Sequence, residues 1–501
     1  MEQTGNNYQK GLSLAEAGKY NEAFFYLQEH LRYKEPDAEI LNDIGAVLHC
    51  LGRDDEAIVY FLRAGTMQNK NPNVIWNLVE AYLAAGRPND ASRYFDDMRK
   101  AGILSADVVN RTANVYLNKG NRSASLDMMQ LSLNYWPEQQ RILEPMIAAT
   151  RNTRPKISFM SGLKDGTTFL TDILGYTTAR YPARFCEVSA VNELREVMSS
   201  SDICWYEWCT DLAVEASRQP KVCKNIVRLH RFEAYGDWPG QVRWENIDYL
   251  VLVGNSFVKQ ALVKQVPGIE RRTKVVVIPN GVNLDEFKFT GRPRGKNIAC
   301  VGFLNAHKNP MLLMQCMQKL HYIDPGYKLY FAGNFQDYCL EQYLRHTVKS
   351  MGLEGVVFFD GWQDDIKGWL ADKHFIVSGS IFESQGMGIL EAMASGLKPV
   401  IHNFPGAEEI FGSEYLFSIS EDFCVQILSD KYEPGRYRSF VEERYPLKGQ
   451  LCQIDKIFTG LEAEIGTQRN DLNTSGVAAG VFSFAGIGEG AVSDKAVLAS
   501  N

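Results

Sequence analysis

A glycine recurs every 34 residues in the first third of the chain, at Gly18, Gly52, Gly86 and Gly120. The segments around these glycines align without gaps: EAGKYNEAFFYL from Glu16, CLGRDDEAIVYF from Cys50, AAGRPNDASRYF from Ala84 and NKGNRSASLDMM from Asn118. Five residues after each glycine stands a small side chain: Ala23, Ala57, Ala91, then Ser125. Three further on come Tyr26, Tyr60, Tyr94 and Met128. Self-similarity at this period means one supersecondary unit repeated, each copy burying its apolar face on the next. A helix–turn–helix unit accounts for the spacing. Glycine takes the left-handed conformation that ends the first helix, and the small residue lets the second helix pack closely on it.

Over about residues 5–150 this pattern resembles the tetratricopeptide repeat family, although the family's Trp and Pro are mostly missing. The resemblance implies an α-solenoid over 1–150 with a concave face that docks a protein partner or a protein acceptor. A spacer or an oligomerisation surface is the alternative.

The polar stretch RNTRP (Arg151–Pro155) reads as a linker. Beyond it the texture changes. KISFMSG, IDYLVLVGNS, KVVVIPNGV, KNIACVGF, YKLYFAGNF, VVFFDGW and HFIVSGS are short apolar runs separated by helical spacers. Buried strands alternating with helices predict parallel sheets covered on both faces, with ligands bound beyond the carboxyl ends of the strands. The runs form two groups, which predicts two Rossmann-like α/β domains, 156–288 and 289–466, facing across a cleft. TGRPRGK (Thr290–Lys296) between them is expected to be a hinge, and its basic residues to be solvated. Residues 467–501 are rich in Gly, Ala, Ser and Val, and are expected to form a disordered tail. No GxGxxG follows a strand and no GxxxxGK[ST] occurs, which argues against a nicotinamide dehydrogenase and a P-loop NTPase. The GIGEG in the tail lacks that context.

Composition narrows the class further. Of 501 residues, 53 are basic and 60 acidic, a net charge of −7 that excludes a general nucleic-acid coat. No apolar run is long enough to span a membrane, and the N-terminus lacks the pattern of a secretory signal. The ten cysteines are scattered with no CxxC pair, so free thiols are expected rather than a zinc site or a disulfide framework. A cytoplasmic protein, free or peripheral to a membrane, is the expectation.

The segment IVSGSIFESQGMGILEAMASG carries the densest chemistry. Glu383 falls in the loop after a strand, Gly386-Met387-Gly388 turns the chain, and Glu391 lies in the first turn of the helix that follows. Free N–H groups at a helix start attract phosphate, and glycines let it approach. A carboxylate accepts two hydrogen bonds from a vicinal diol. A diphosphate between two polyols, that is a nucleotide sugar, suits the site. A glycosidase acid/base pair is disfavoured, because hydrolysis needs neither the glycine loop nor a cation.

This stretch resembles the E-x7-E signature of retaining GT-B glycosyltransferases of the family-4 (group 1) type. VIPNGVNLDEF (Val277–Phe287), VGFLNAHKNPMLLM and VVFFDGW resemble three further segments of that family in the same order. The resemblance covers about residues 156–466. It implies a hexosyl transfer from a nucleoside-diphosphate sugar to an acceptor glycan or protein, with the 156–288 domain on the acceptor side and 289–466 on the donor side. It implies Glu383 on the transferred sugar, Glu391 on the ribose, and Gly386, Met387 and Gly388 on the diphosphate. Lys308 neutralises the leaving group, and His230 in RLHRFEAY faces the donor sugar or the acceptor. Gly302 and Gly162, the latter in SGLKDG, complete the donor-side set. No metal and no cofactor are implied. One departure stands out: Phe303 occupies a position where the family has arginine, which leaves Arg231 or Lys164 to supply the missing charge. The alternative is a catalytically inactive scaffold acting through its repeats.

Overall fold

The computed structural model describes residues 2–68, 70–163 and 166–484, with side chains described between 7 and 467 of these. The chain divides after Arg154 into two compact units.

The first unit is helical. Its period is set by the backbone: Gly18, Gly52, Gly86 and Gly120 have φ of +74°, +72°, +66° and +76°. Each closes a helix in the same way. Gly52 N–H donates to the His49 carbonyl and Arg53 N–H to that of Leu48, and the equivalent pairs recur at Gly18, Gly86 and Gly120. This is the αL helix stop that glycine makes at least cost. Two further period-34 signals appear. Asp37, Asn71 and Ser105 cap the helices Ala38–Cys50, Pro72–Ala84 and Ala106–Asn118. Gly11 and Gly45 sit against Leu27 and Phe61; a Cβ on Gly45 would lie 2.6 Å from the Phe61 ring. Ala23, Ala57, Ala91 and Ser125 are fully buried, as close helix packing requires. In the third repeat the second helix is split into Pro88–Ser92 and Phe95–Lys100.

The second unit holds two six-stranded parallel sheets. The first comprises β1 (Ile157–Ser161), β2 (Ala183–Phe185), β3 (Ile203–Glu207), β4 (Lys224–Leu229), β5 (Tyr249–Leu252) and β6 (Lys274–Val277), in the order β2-β1-β3-β4-β5-β6. The second comprises β7 (Asn297–Val301), β8 (Lys328–Ala332), β9 (Val357–Gly361), β10 (Phe375–Ser378), β11 (Lys398–His402) and β12 (Leu416–Phe417), in the order β12-β11-β10-β7-β8-β9. The central strands are buried along nearly their whole length, as continuous apolar runs between helical layers must be.

Two features depart from the expected layout. Thr290–Lys296 is no free hinge. Arg292 donates to the carbonyls of Leu370 (2.8 Å) and Ser395 (3.1 Å), and Arg294 to that of Ile427 (3.0 Å), which straps the segment to the second sheet's layers. Arginine's five donors let one side chain satisfy several carbonyls at once. The last helix, Leu447–Phe484, returns to the first sheet, where Ile454, Ile457, Phe458 and Leu461 pack with Ile157, Phe159 and Trp205. It covers a face of β1 and β3 that would otherwise stand open. The helix continues past 467, and the tail from 485 on, including GIGEG, lies outside the described residues, as does Lys164.

Candidate functional site

The carboxyl ends of β3, β4 and β7–β10 border one cavity of about 630 Å³ between the two sheets. Its second-sheet wall is the loop and helix after β10. Gly386, at φ +75°, turns the chain into the helix Met387–Ala394. The first N–H groups of that helix, at Met387 and Gly388, have no carbonyl one turn back to bond. Gly388 packs on β7 so closely that an added Cβ would lie 3.2 Å from Val301 Cγ1. Glu383 Oε1 accepts Lys308 Nζ at 2.5 Å and Ser380 Oγ at 2.8 Å. Gly302, at φ +130°, leaves room for this lysine: a Cβ there would stand 3.1 Å from Lys308 Cε. Glu391 is the fifth residue of its helix, one turn deeper than the sequence placed it. Burial pushes its carboxyl up to about 7, with the charge of Glu286 adding to the rise.

The first-sheet wall is a buried polar cluster. Glu207 and Arg228 face each other in the β3–β4 register. Both are fully buried and joined at 2.9 Å. Glu207 also receives His230 Nε2 at 2.8 Å and Trp205 Nε1 at 2.9 Å. Burial works to raise the Glu207 carboxyl, but the Arg228 charge and the His230 and Trp205 bonds outweigh it and hold the group below its ordinary value. An ionised carboxylate only accepts, so it fixes Nε2 as the proton-bearing nitrogen of His230. The ring stacks on Trp208 at 4.2 Å. Trp208 itself holds φ +70°, a strained conformation for a non-glycine residue.

A side-chain latch joins the two walls. Arg228 Nη2 donates to the Asn280 side chain. Gln385, in the loop between Glu383 and Gly386, accepts the Asn280 N–H at 2.7 Å and donates to the Asn280 carbonyl at 2.6 Å. Asn255 Nδ2, beyond β5, reaches the Glu383 carbonyl at 3.3 Å.

The cavity thus gathers His230, Gly302, Lys308, Glu383, Gly386, Met387, Gly388 and Glu391. Gly162 lies apart, lining an adjacent hollow of about 750 Å³ beyond β1 and β2. A Cβ there would meet Thr210, so the glycine makes room for a packed side chain. Sequence reasoning passed over Glu207, Arg228 and Gln385. The available signal was a charge near the carboxyl end of each of two apolar strands, Glu207 in ICWYE and Arg228 in KNIVRL. Phe303 stacks on Trp362 at 5.6 Å, both rings standing exposed at the cavity edge.

Comparison with known proteins bears on this half of the chain. Residues 283–422 match the family model of glycosyl transferases group 1. The chain is 26% identical over 133 residues to a GDP-mannose:cellobiosyl-diphosphopolyprenol alpha-mannosyltransferase of Komagataeibacter xylinus, covering 26% of this chain and 34% of that protein. It is 26% identical over 157 residues to a UDP-Gal:alpha-D-GlcNAc-diphosphoundecaprenol alpha-1,3-galactosyltransferase of Escherichia coli, covering 28% of this chain and 40% of that protein. The matches therefore span less than half the length of these curated relatives. Among solved structures, Anabaena Alr3699/HepE in complex with UDP superposes with a TM-score of 0.52 at 16% identity, over 61% of this chain and 100% of that one. A glycosyltransferase of Rickettsia africae superposes with a TM-score of 0.50 at 16% identity, over 62% of this chain and 98% of that one. The two-sheet unit has the fold of these glycosyltransferases.

Proposed function

We propose that this protein is a retaining glycosyltransferase that moves a sugar from a nucleoside-diphosphate sugar to a protein or cell-surface glycan acceptor. The observation that carries the reading is the convergence, in one cavity, of the Lys308–Glu383 pair and the glycine-led start of helix Met387–Ala394, within the segment that matches the group 1 family. The named donors of the relatives, GDP-mannose and UDP-Gal, and the UDP of the Anabaena structure support this donor class.

In this reading the diphosphate lies at the N–H groups of Met387 and Gly388, where helix dipole and free donors favour an anion. Lys308 turns from Glu383 to the phosphates and stabilises the charge that develops as the sugar–phosphate bond breaks. Glu383, released, accepts hydroxyls of the sugar, and Glu391 accepts those of the ribose. His230, oriented by Glu207, faces the sugar or the acceptor. The helical repeats, with their resemblance to tetratricopeptide repeats, supply a docking surface for a protein acceptor.

A thermal-shift panel of UDP, GDP, ADP and CDP sugars on the full chain tests the reading. Stabilisation by one donor, with release of the nucleoside diphosphate when acceptor is present, is expected. No stabilisation and no turnover with any donor rejects it in favour of a scaffold. The substitution of Phe303 for the arginine of the resembled pattern is the observation on the scaffold's side.

A further inference from the structure

Arg231 is the first residue of the short helix after β4, next to His230, and it lines the same cavity as Lys308. Its guanidinium carbon stands 5.8 Å from the centre of the Phe382 ring, and Tyr235 meets that ring edge-on at 5.2 Å. Phe382 directly precedes Glu383. The arginine therefore extends from the first sheet to the loop that carries the second sheet's carboxylate.

The charges in the cavity are unequally matched. Lys308 is neutralised by Glu383 at 2.5 Å. Behind the wall, Arg228 is neutralised by Glu207. Among the described residues, the Arg231 guanidinium has neither a carboxylate partner nor a hydrogen bond, and it faces the Phe382 ring. Phe303, where the resembled pattern has arginine, brings no charge and turns to Trp362 instead. The second-sheet wall thus holds one cation already paired, Lys308, and the first-sheet wall holds an unpaired one, Arg231.

We propose that Arg231 is the second cation for the diphosphate, supplied from the first sheet in place of the residue that Phe303 displaces. The inference rests on the glycosyl-transfer reading above. Arginine's planar fork binds two phosphate oxygens at once. The bond from the sugar's anomeric carbon to the β-phosphate oxygen breaks with its electron pair on the phosphate. The acceptor oxygen bonds to that carbon, and its proton passes to the departing phosphate. Charge on the phosphate grows as the bond opens, and Arg231 and Lys308 share it from opposite walls. A donor joined to both walls also holds the cleft closed while it reacts.

The test titrates the full chain with UDP, GDP, ADP and CDP, and carries forward the tightest together with its nucleoside. In Arg231→Gln, affinity for the diphosphate is expected to fall about tenfold or more while affinity for the nucleoside is unchanged, because only a charge-assisted phosphate contact is lost. Adding Phe303→Arg to that variant is expected to restore part of the loss. Equal diphosphate affinity in wild type and Arg231→Gln overturns the inference and leaves the glycosyl-transfer reading standing. A parallel loss of nucleoside affinity also overturns it, since the arginine then acts on the shape of the site. If none of the four diphosphates binds the wild type, the glycosyl-transfer reading itself fails.

Discussion

Lys308 Nζ and Glu383 Oε1 stand 2.5 Å apart in the wall of the cavity. The two groups proposed for opposite ends of the bond that breaks neutralise each other here. The pair is only partly exposed and is backed by Ser380, so it is ordered without being deeply buried.

Truncating either partner should therefore cost catalysis far more than stability. Lys308→Met and Glu383→Gln are each expected to lower turnover by about 10²–10³-fold and to leave the melting temperature within a few degrees of wild type. Because the two groups act on different parts of the ligand in this reading, the double variant should lose roughly the product of the two single losses. Steady-state kinetics of the four proteins checks this.

The Gln385 side chain bonds the Asn280 backbone in both directions. Replacing it by Leu leaves a buried N–H and a buried carbonyl unpaired, at a cost of roughly 1–3 kcal/mol. Amide exchange at Asn280 should quicken in Gln385→Leu. In Gln385→Glu it should stay slow, since a carboxylate still accepts that N–H. Exchange followed by mass spectrometry separates the two.

The difference between what was legible in the sequence and what was not follows from the range of the interactions. The 34-residue period is local: each glycine bonds the carbonyl three residues back and the next residue the carbonyl five back, so Gly18, Gly52, Gly86 and Gly120 could be placed before any coordinates. Strand ends and the Gly386 turn are local in the same sense, which is why Glu383 and Glu391 could be placed on them; Lys308 and Gly302 joined them only through the family resemblance. The Glu207–Arg228–Asn280–Gln385 chain joins residues up to 105 positions apart, and nothing in the local pattern of any one of them announces the others. The return of the last helix to the first sheet is equally long-range. The arginines of Thr290–Lys296 misled because a basic run usually marks a solvated loop, whereas here carbonyl oxygens of the second sheet's layers take up the donors.

Glu391 predicts a pH dependence of unusual sign. Its carboxyl is raised by burial from about 4.5 to about 7 in the folded state. Below 4.5 both folded and unfolded chains hold the proton, and the group makes no difference. As pH rises to 7 the unfolded chain releases it first, so the group progressively disfavours folding, and above 7 the full penalty applies. Glu391→Gln should thus melt higher than wild type at pH 8, and the gap should close near pH 4.5. If Glu391 holds the ribose as proposed, nucleotide affinity of the wild type should weaken below pH 7 as this carboxylate takes up its proton.

In the repeats, Gly45 is tested by adding a methyl group. A Cβ 2.6 Å from the Phe61 ring forces the two helices of its hairpin apart, and overpacking of this kind costs about 1–3 kcal/mol. Gly45→Ala should lower the melting of the helical unit while nucleoside-diphosphate binding by the two-sheet unit is unchanged. Calorimetry with and without nucleotide checks both halves of the statement.

The most direct test of the central claim is hydrogen exchange of the full chain with and without the nucleotide sugar that stabilises it best. Slowed exchange is expected at 302–308 and 383–391, the segments that carry Lys308, Glu383, the helix start and Glu391. Unchanged exchange in both segments under every donor, or protection confined to residues 1–154, would contradict it.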